Sequence, residues 1–358
     1  MIVATKPMIG DEEIEAVTKV LRSGILSQGP EVAAFENEFS SYVNGFPCVA
    51  VNSATSGLHI ALLAAGIKPA DEVIVPSFTF AATANSVALI GAKPVFVDID
   101  PKTFNIDPQK IHAALTPKTR AIQVVHLFGL PAEINTILDI AKTYNLLVFE
   151  DAAQAHLAKF QDQYVGTFGT ASTFSFYPSK NMTSGEGGII SCSTLALARE
   201  CKLLRNQGME KRYENEIVGF NCRMTDIHAS IGRAQLKKIE KWTQQRIENA
   251  HFYHQHLRGV IKPYAPLGST HVYHQYTIRV PGHNRDHFAK EMLKNGVECN
   301  VFYPKPVHRL PAYQLNLDLP ETEAACKEVL SIPVHPSLSQ LDLEKVVEVV
   351  NKLSNSGA

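Results

Sequence analysis

The sequence of 358 residues has no excess of charge of either sign. Its formal net charge at pH 7 is −1, and charged residues make up only 19% of the chain. A chain without a strong positive field has no general electrostatic attraction for nucleic acid or for an anionic membrane surface. We therefore expect neither a nucleic-acid nor a membrane partner, and local groups must bind any ligand that carries a phosphate.

Paired cysteines are absent as well. The six cysteines form no CxxC pair and are scattered along the chain, at Cys48, Cys192, Cys201, Cys222, Cys299 and Cys326. In a chain of this size, such scatter is typical of reduced thiols and not of a disulfide framework. The N-terminal stretch MIVATKPMIGDEEIE becomes acidic before an apolar signal core could form. These two features predict a cytoplasmic protein.

Three familiar ligand motifs are missing too. The sequence contains no GxxxxGK[ST] loop and no GxGxxG after a strand, which argues against P-loop nucleotide hydrolases and nicotinamide-dependent dehydrogenases. The histidines His251, His254 and His256 lie in a helical context without a ligand spacing to cysteine or carboxylate, so we predict no metal site.

Short apolar runs alternate with helical patterns through the first half of the chain. The strand-like runs cover residues 49–51, 72–75, 94–97, 121–125 and 146–149. Buried strands separated by helices indicate an α/β fold with a mostly parallel sheet covered on both faces. The sequence pattern changes beyond Pro263, where strand-like and helix-like segments are mixed. We predict a large domain at residues 1–245 and a smaller C-terminal α+β domain at 246–358, with a long helix over 225–257 and a strand over 297–302.

Polar residues follow two of the predicted strands, at the sheet edge where active sites of such folds lie. The segment NSATSG, residues 52–57, precedes an apolar helix, and a helix start with exposed amides and hydroxyls can bind a phosphate. Its alternative is an ordinary helix cap. Asp151 follows the fifth strand, where an ionised carboxylate needs a cation or hydrogen bonds. A protonated pyridine nitrogen would serve, as would a salt bridge or a cap.

One lysine lies in an unusual context. Lys180 occurs in SFYPSKNMTSGEGG, between a proline and a glycine cluster, so we expect it in a turn. A lysine held in this way can form and release a Schiff base, whereas the alternative is a solvated surface residue. A phosphate-binding helix start, a carboxylate and a loop lysine together meet the needs of pyridoxal phosphate.

The motifs themselves resemble those of the DegT/DnrJ-type sugar aminotransferases. The resemblance is carried, in chain order, by NSATSGLHIAL, PSFTFAATANSV, PVFVDIDPKTFNID, EDAAQAH, SFYPSKNMTSGEGG and GFNCRMTDIHA. It implies aminotransferase fold type I, pyridoxal 5'-phosphate as cofactor and a homodimer with shared active sites. It also implies transfer of an amino group to a keto sugar, of the 3- or 4-keto-6-deoxyhexose type, carried on a nucleotide diphosphate. Glutamate is the amino donor usual in the family.

The same resemblance assigns roles to single residues. Lys180 is similar to the Schiff-base lysine, Asp151 to the partner of the pyridine nitrogen, and Gln154 to the residue bonded to the cofactor phenolate oxygen. The remaining cofactor contacts that it implies are the backbone amide of Ala54, Thr55 and Ser175 at the phosphate, Phe80 against the ring, and Asn221 from the neighbouring subunit. Core packing is the alternative for Phe80.

The substrate side rests on fewer residues. The segment FYPKPVHRLPAY, residues 302–313, mixes aromatic, basic and proline residues, and within it we predict His308 and Tyr303 as substrate contacts. Two alternatives to a sugar aminotransferase stay open: an aminotransferase of the same fold that acts on a non-sugar ketone, such as a cyclitol or an aminobenzoate precursor, and a catalytically silent regulatory homologue.

Overall fold

A seven-stranded sheet forms the centre of the molecule in the computed structural model, which describes residues 1–355. The strands are, in chain order, β1 (Cys48–Val51), β2 (Glu72–Pro76), β3 (Lys93–Val97), β4 (Thr119–Val125), β5 (Leu147–Asp151), β6 (Lys159–Phe160), β7 (Gln163–Tyr164), β8 (Ala171–Ser175), β9 (Gly188–Cys192), β10 (Ser269–Thr270), β11 (Tyr276–Arg279) and β12 (Val329–Ile332). The order in the central sheet is β1-β9-β8-β5-β4-β2-β3. Only β9 is antiparallel to its neighbours, so the predicted mostly parallel α/β sheet is confirmed.

Helices cover both faces of this sheet and build the C-terminal part. They are α1 (Asp11–Ser23), α2 (Pro30–Ser40), α3 (Ala54–Ala64), α4 (Ala82–Ala88), α5 (Pro108–Ala114), α6 (Ile134–Tyr144), α7 (Leu195–Arg205), α8 (Asp226–Leu236), α9 (Ile239–His256), α10 (Arg285–Lys294), α11 (Pro320–Glu328) and α12 (Gln340–Asn355). Every residue of β1, β2, β8 and β9 is buried, which explains why these strands read as continuous apolar or small-residue runs.

Two glycines allow helix α3 to lie close to the sheet. A Cβ atom on Gly57 would come within 2.6 Å of Thr173 Cγ2, and one on Gly188 within 2.6 Å of the Ala54 nitrogen. Side chains at these positions would push the helix away from β8 and β9. The glycines therefore fix the start of α3 against the carboxyl-end edge of the sheet.

The C-terminal part has a hydrophobic core of its own. Strands β11 and β12 pair antiparallel, and residues such as Tyr253, Tyr276, Phe288 and Val346 pack beside them. Helix α9 joins this core to the rest, because Ile239 at its start packs with the large sheet and Tyr253 near its end packs with β11. Residue 245, the predicted domain boundary, lies in the middle of this helix.

Two predicted elements differ from the structure. The helical stretch over 225–257 is divided into α8 and α9 at Lys237–Lys238. Residues 297–302 form no strand and make only isolated bridges, between Val297 and Ile2 and between Asn300 and Ser331. Within residues 1–355, no helix combines the length and the apolar character needed to cross a membrane.

Candidate active site

A cavity of about 460 Å³ opens at the carboxyl-end edge of the central sheet. Three neighbouring strands end in its wall, β4 at Val125, β5 at Asp151 and β8 at Ser175. We call it the sheet-edge cavity. Parallel strands bring residues that are far apart in sequence to one edge, and the same wall contains the start of α3 and the turn that carries Lys180.

Asp151 is buried in this wall, and both of its carboxylate oxygens are hydrogen-bonded. Thr83 Oγ1 donates to Oδ2 at 2.7 Å, and the Ala153 amide donates to Oδ1 at 3.2 Å. Burial raises the pKa of the Asp151 carboxyl, while the bond from Thr83 and the charge of Lys180 act to lower it. A carboxylate held in this way favours a cationic partner, such as a protonated ring nitrogen.

Lys180 follows a turn at Pro178–Ser179 and is partly buried beside the same cavity. Its backbone amide donates to the Tyr177 carbonyl oxygen at 2.9 Å. Burial lowers the pKa of the Lys180 amine from 10.5 to about 8, although the Asp151 charge opposes this change. The structure therefore places Lys180 in a cavity wall and not on the solvated surface, and gives it an amine that is partly neutral near physiological pH.

Two partners fix the side-chain amide of Gln154. The Phe128 backbone amide donates to Oε1 at 2.7 Å, and Nε2 donates to the Tyr303 hydroxyl at 3.1 Å. Because Oε1 is taken by Phe128, the NH₂ group faces the cavity that Gln154 and Tyr303 both line. An oxygen of a ligand at this position would meet a hydrogen-bond donor.

The start of α3 supplies groups for an anion. Ser53 caps the helix, with its Oγ accepting from the Ser56 amide at 3.1 Å. Ala54 and Thr55 follow in the first turn, where backbone amides have no acceptor within the helix. These residues and Ser175 line the same sheet-edge cavity, which is the arrangement that a phosphate group needs.

Aromatic side chains stand at the cavity as well. Phe80 is 59% exposed, so it is not packed in the core, and its ring centroid lies 6.3 Å from that of Tyr303. Both rings line the cavity. Burial raises the pKa of the Tyr303 hydroxyl far above its ordinary value, which keeps it a neutral hydrogen-bonding group.

Two predicted site residues lie away from the cavity wall. His308 is fully buried, with Nδ1 2.7 Å from Ser77 Oγ. The Val307 amide donates to the Ser77 carbonyl oxygen beside it. His308 therefore lies outside the cavity wall, and its contact with the substrate stays a prediction. Asn221 is exposed and forms a bridge with Asn206 of its own chain. Its contact with a neighbouring subunit stays a prediction.

Some cavity residues were not singled out from the sequence. Thr79, Glu186 and His274 line the wall, and Thr83 lies behind it at Asp151. Burial, followed by the Lys180 charge, lowers the pKa of His274 well below its ordinary value, so the ring is neutral. Thr79 and Thr83 lie in a motif that carries the family resemblance, but no spacing rule points to them.

The residues of the cavity fit pyridoxal phosphate. A buried carboxylate, a lysine of lowered pKa, an oriented amide donor and a capped helix start all converge on one space, and each matches one part of that cofactor. The fold and the site define the class of pyridoxal-phosphate-dependent aminotransferases of fold type I, with comparisons between whole chains supporting the same assignment. The family described as the DegT/DnrJ/EryC1/StrS aminotransferase family matches residues 7–351. The chain belongs to this family.

Curated relatives cover nearly the whole chain. A protein named pleiotropic regulatory protein, from Geobacillus stearothermophilus, is 40% identical over 95% of this chain and 93% of its own. GDP-perosamine synthase from Caulobacter vibrioides is 39% identical over 98% and 97%. A UDP-N-acetyl-3-dehydro-alpha-D-glucosamine 3-aminotransferase from Acidithiobacillus ferrooxidans is 37% identical over 96% and 94%.

Solved structures share the fold along the full length. DesV from S. venezuelae superposes with a TM-score of 0.93 at 35% identity and covers 96% of this chain and 94% of its own. NtdA from Bacillus subtilis, solved with bound PMP, has a TM-score of 0.90 at 31% identity and covers 99% and 86%. The predicted family, fold type and cofactor are therefore confirmed.

Proposed function

We propose that this enzyme transfers an amino group to a keto sugar carried on a nucleotide diphosphate, with glutamate as the amino donor. The sugar is of the 3- or 4-keto-6-deoxyhexose type, and the product serves amino-sugar and surface-polysaccharide or natural-product biosynthesis. Two relatives support the substrate class, since their names specify a GDP-linked and a UDP-linked amino sugar. The convergence of Lys180, Asp151 and the α3 start on one cavity carries the catalytic part.

Each of the cavity residues has a separate role in the proposed reaction. Pyridoxal phosphate, when bound, supplies an aldehyde that accepts amines and a ring that takes up electrons. Asp151 would hold the ring nitrogen, Gln154 would donate to the ring oxygen, and the amides and hydroxyls at Ala54 and Thr55 would bind the phosphate. Lys180 would hold the cofactor, then take the proton from the donor carbon and return a proton to the acceptor carbon. A pKa of about 8 suits this exchange near neutral pH.

A second copy of the chain would complete the site. Asn221 is exposed and directly follows a loop with outward-facing apolar side chains, including Tyr213 at 79% and Val218 at 93% exposure. Exposed apolar clusters of this kind mark surfaces that bind another protein. We propose a homodimer in which Asn221 reaches the phosphate of the partner's cofactor.

The test separates the two half reactions. Purified enzyme with pyridoxal phosphate should be yellow, should lose the absorbance of the aldehyde form on addition of glutamate, and should release 2-oxoglutarate. A panel of keto nucleotide sugars and keto-cyclitols is then offered to the aminated enzyme. Restored absorbance with a nucleotide sugar supports the proposal; restoration by cyclitols alone contradicts the substrate class.

Lys180→Ala is the matching variant. It should still bind pyridoxal phosphate, since Asp151, Gln154 and the α3 start remain, but both half reactions should slow by about 10³-fold because the proton carrier is lost. The measurement is the single-turnover rate with glutamate. The control is Lys159→Ala, which removes a lysine of strand β6, outside the cavity wall, and should leave the rate unchanged. A Lys180→Ala protein that turns over at the wild-type rate would contradict the role of Lys180.

A further inference from the structure

Two buried threonine hydroxyl groups form a hydrogen-bonded chain that ends at the Asp151 carboxylate. Thr83 Oγ1 lies 2.7 Å from Asp151 Oδ2, and Thr79 Oγ1 lies 2.9 Å from Thr83 Oγ1. Thr83 has no exposed surface and Thr79 only 3%. Neither threonine has a role in the proposed reaction, yet Thr83 makes the shorter of the two hydrogen bonds described for the Asp151 carboxylate.

Only one set of donor and acceptor roles fits the hydrogen bonds between Thr79, Thr83 and Asp151. An ionised carboxylate can only accept hydrogen bonds, so the Thr83 hydroxyl must donate to Asp151. Thr83 has a single hydroxyl proton, which means that Thr79 must donate to Thr83. A hydroxyl that accepts one hydrogen bond becomes a better donor for the next. The pair therefore concentrates donor strength on one carboxylate oxygen.

The surrounding elements hold Thr83 in place. Gln123 of β4 donates from Nε2 to the Thr83 carbonyl oxygen at 2.8 Å, and Ser86 Oγ donates to the same oxygen at 2.8 Å. Thr83 lies in the first turn of α4, and Asp151 ends β5. The bonds from Gln123 and Ser86 thus hold the Thr83 backbone, while the contacts with Thr79 and Asp151 hold its hydroxyl.

We propose that Thr83 is a positioning residue, whose hydroxyl keeps Asp151 ionised and oriented toward the ring nitrogen of pyridoxal phosphate. The proposal rests on the role of Asp151 given under the proposed function. Other groups also act on this carboxyl: Lys180 and His126 favour its charged form, and the Tyr303 hydroxyl lies near it. Burial opposes the charged form most strongly, so the loss of the Thr83 donor should raise the pKa of Asp151 further.

The experiment compares two cofactors on the full chain freed of cofactor. One is pyridoxal phosphate, and the other is its deaza analogue, in which carbon replaces the ring nitrogen. Thr83→Val should bind pyridoxal phosphate about 10-fold more weakly at pH 7 and the analogue within about twofold of wild type. The pH below which pyridoxal phosphate affinity falls should move up by about one unit. Thr83→Ser, which keeps the hydroxyl, should restore both the affinity for pyridoxal phosphate at pH 7 and the pH below which it falls.

The matched control is Thr322→Val, because Thr322 is equally buried and its hydroxyl donates at 2.7 Å to a different buried carboxylate, that of Asp98, outside the cavity wall. Thermal unfolding of each variant monitors folding, and Thr83→Ala replaces Thr83→Val if the latter does not fold. Equal weakening of both cofactors by the Thr83 variants, or no weakening, overturns the positioning role. If wild type itself binds the two cofactors equally and at all pH values alike, then the proposed role of Asp151 fails and this proposal fails with it.

Discussion

Burial shifts the pKa values of Lys180 and Asp151 in opposite directions, because it disfavours the charged form of each. It favours the neutral amine of Lys180 and the neutral acid of Asp151, while their mutual attraction favours the charged forms. Burial is the largest effect on both groups, and at Asp151 the Thr83 and Ala153 hydrogen bonds add to the attraction that favours the charged form. The balance gives a nucleophilic amine beside an anchored carboxyl, which is what an aldehyde cofactor with a basic ring nitrogen requires.

This balance predicts how the cofactor-free protein captures an aldehyde at different pH values. Only the neutral amine attacks an aldehyde, so the capture rate should rise about tenfold per pH unit below the pKa of Lys180. The rate should level off near pH 8, because the pKa of Lys180 is lowered to about 8. Stopped-flow absorbance with the deaza analogue measures it without the ring-nitrogen contact.

The variant Asp151→Asn tests how the Asp151 charge changes the pKa of Lys180. The Asp151 charge raises the pKa of Lys180, so its removal should move the levelling point to lower pH. Lys180→Ala should show no capture. A rate that continues to rise through about pH 10, as for an ordinary lysine, would mean that Lys180 is solvated and would contradict the lowered pKa.

The sequence allowed some of these residues to be predicted and not others. Asp151 and Lys180 could be predicted because strand ends and a proline–glycine turn leave local signals. Thr83 could not, since it acts on a carboxylate 68 positions away, and a threonine within a short helix has many ordinary roles. The burial of His308 could not be predicted either: it occurs in a loop-like segment, but the bond from Val307 to Ser77 holds it inside the protein.

At the scale of secondary-structure elements, the position of α3 decides whether the phosphate site exists. Its capping residue and first-turn amides are local features, but their location depends on close contact with β9. Gly188 provides that contact, because its α-carbon faces the Ser53–Ala54 peptide: an added Cβ would lie 2.7 Å from the Ser53 carbonyl carbon. This distance is shorter than a van der Waals contact. The start of α3 and strand β9 are therefore packed together without room for a side chain at Gly188.

Gly188→Ala should therefore displace the start of α3. We expect a loss of stability of about 1–3 kcal/mol, as for other overpacked sites. Binding of pyridoxal phosphate should weaken about 10-fold, while binding of pyridoxal, which has no phosphate, should change less. Calorimetric titration of both ligands and thermal unfolding measure these effects. Gly10→Ala is the control, because the nearest atoms there are the ends of the flexible Glu12 and Glu13 side chains.

The elements that were predicted less well lack local signals. The break between α8 and α9 falls at Lys237–Lys238, where no glycine or proline marks a helix end. Residues 297–302 have a strand-like pattern, but a strand also needs a partner along its length. Here Asn300 meets Ser331 and Val297 meets Ile2, on different segments, so no continuous ladder forms.

At the scale of the whole molecule, α9 joins the hydrophobic core of the C-terminal part to the packing around the central sheet. The sequence predicts a domain division near residue 245 and a helix over 225–257 that crosses it, and the division itself stays a prediction. In the structure α9 contacts both parts, with Ile239 packed with the large sheet and Tyr253 packed with β11. Within residues 1–355, the cavity wall contains every predicted cofactor residue except Asn221.

The position of Asn221 leads to a prediction about subunits. If Asn221 serves the partner's site, a mixed dimer of Lys180→Ala and Asn221→Ala chains has one site with both defects and one intact site. Subunit exchange between the two inactive homodimers should then restore about a quarter of wild-type activity, since half of the dimers are mixed and each has one working site. Activity after mixing, with analytical ultracentrifugation to verify dimers, is the measurement. If Asn221 acts within its own chain, every site of a mixed dimer carries one defect, and mixing restores nothing; a monomer in solution would contradict the shared site directly.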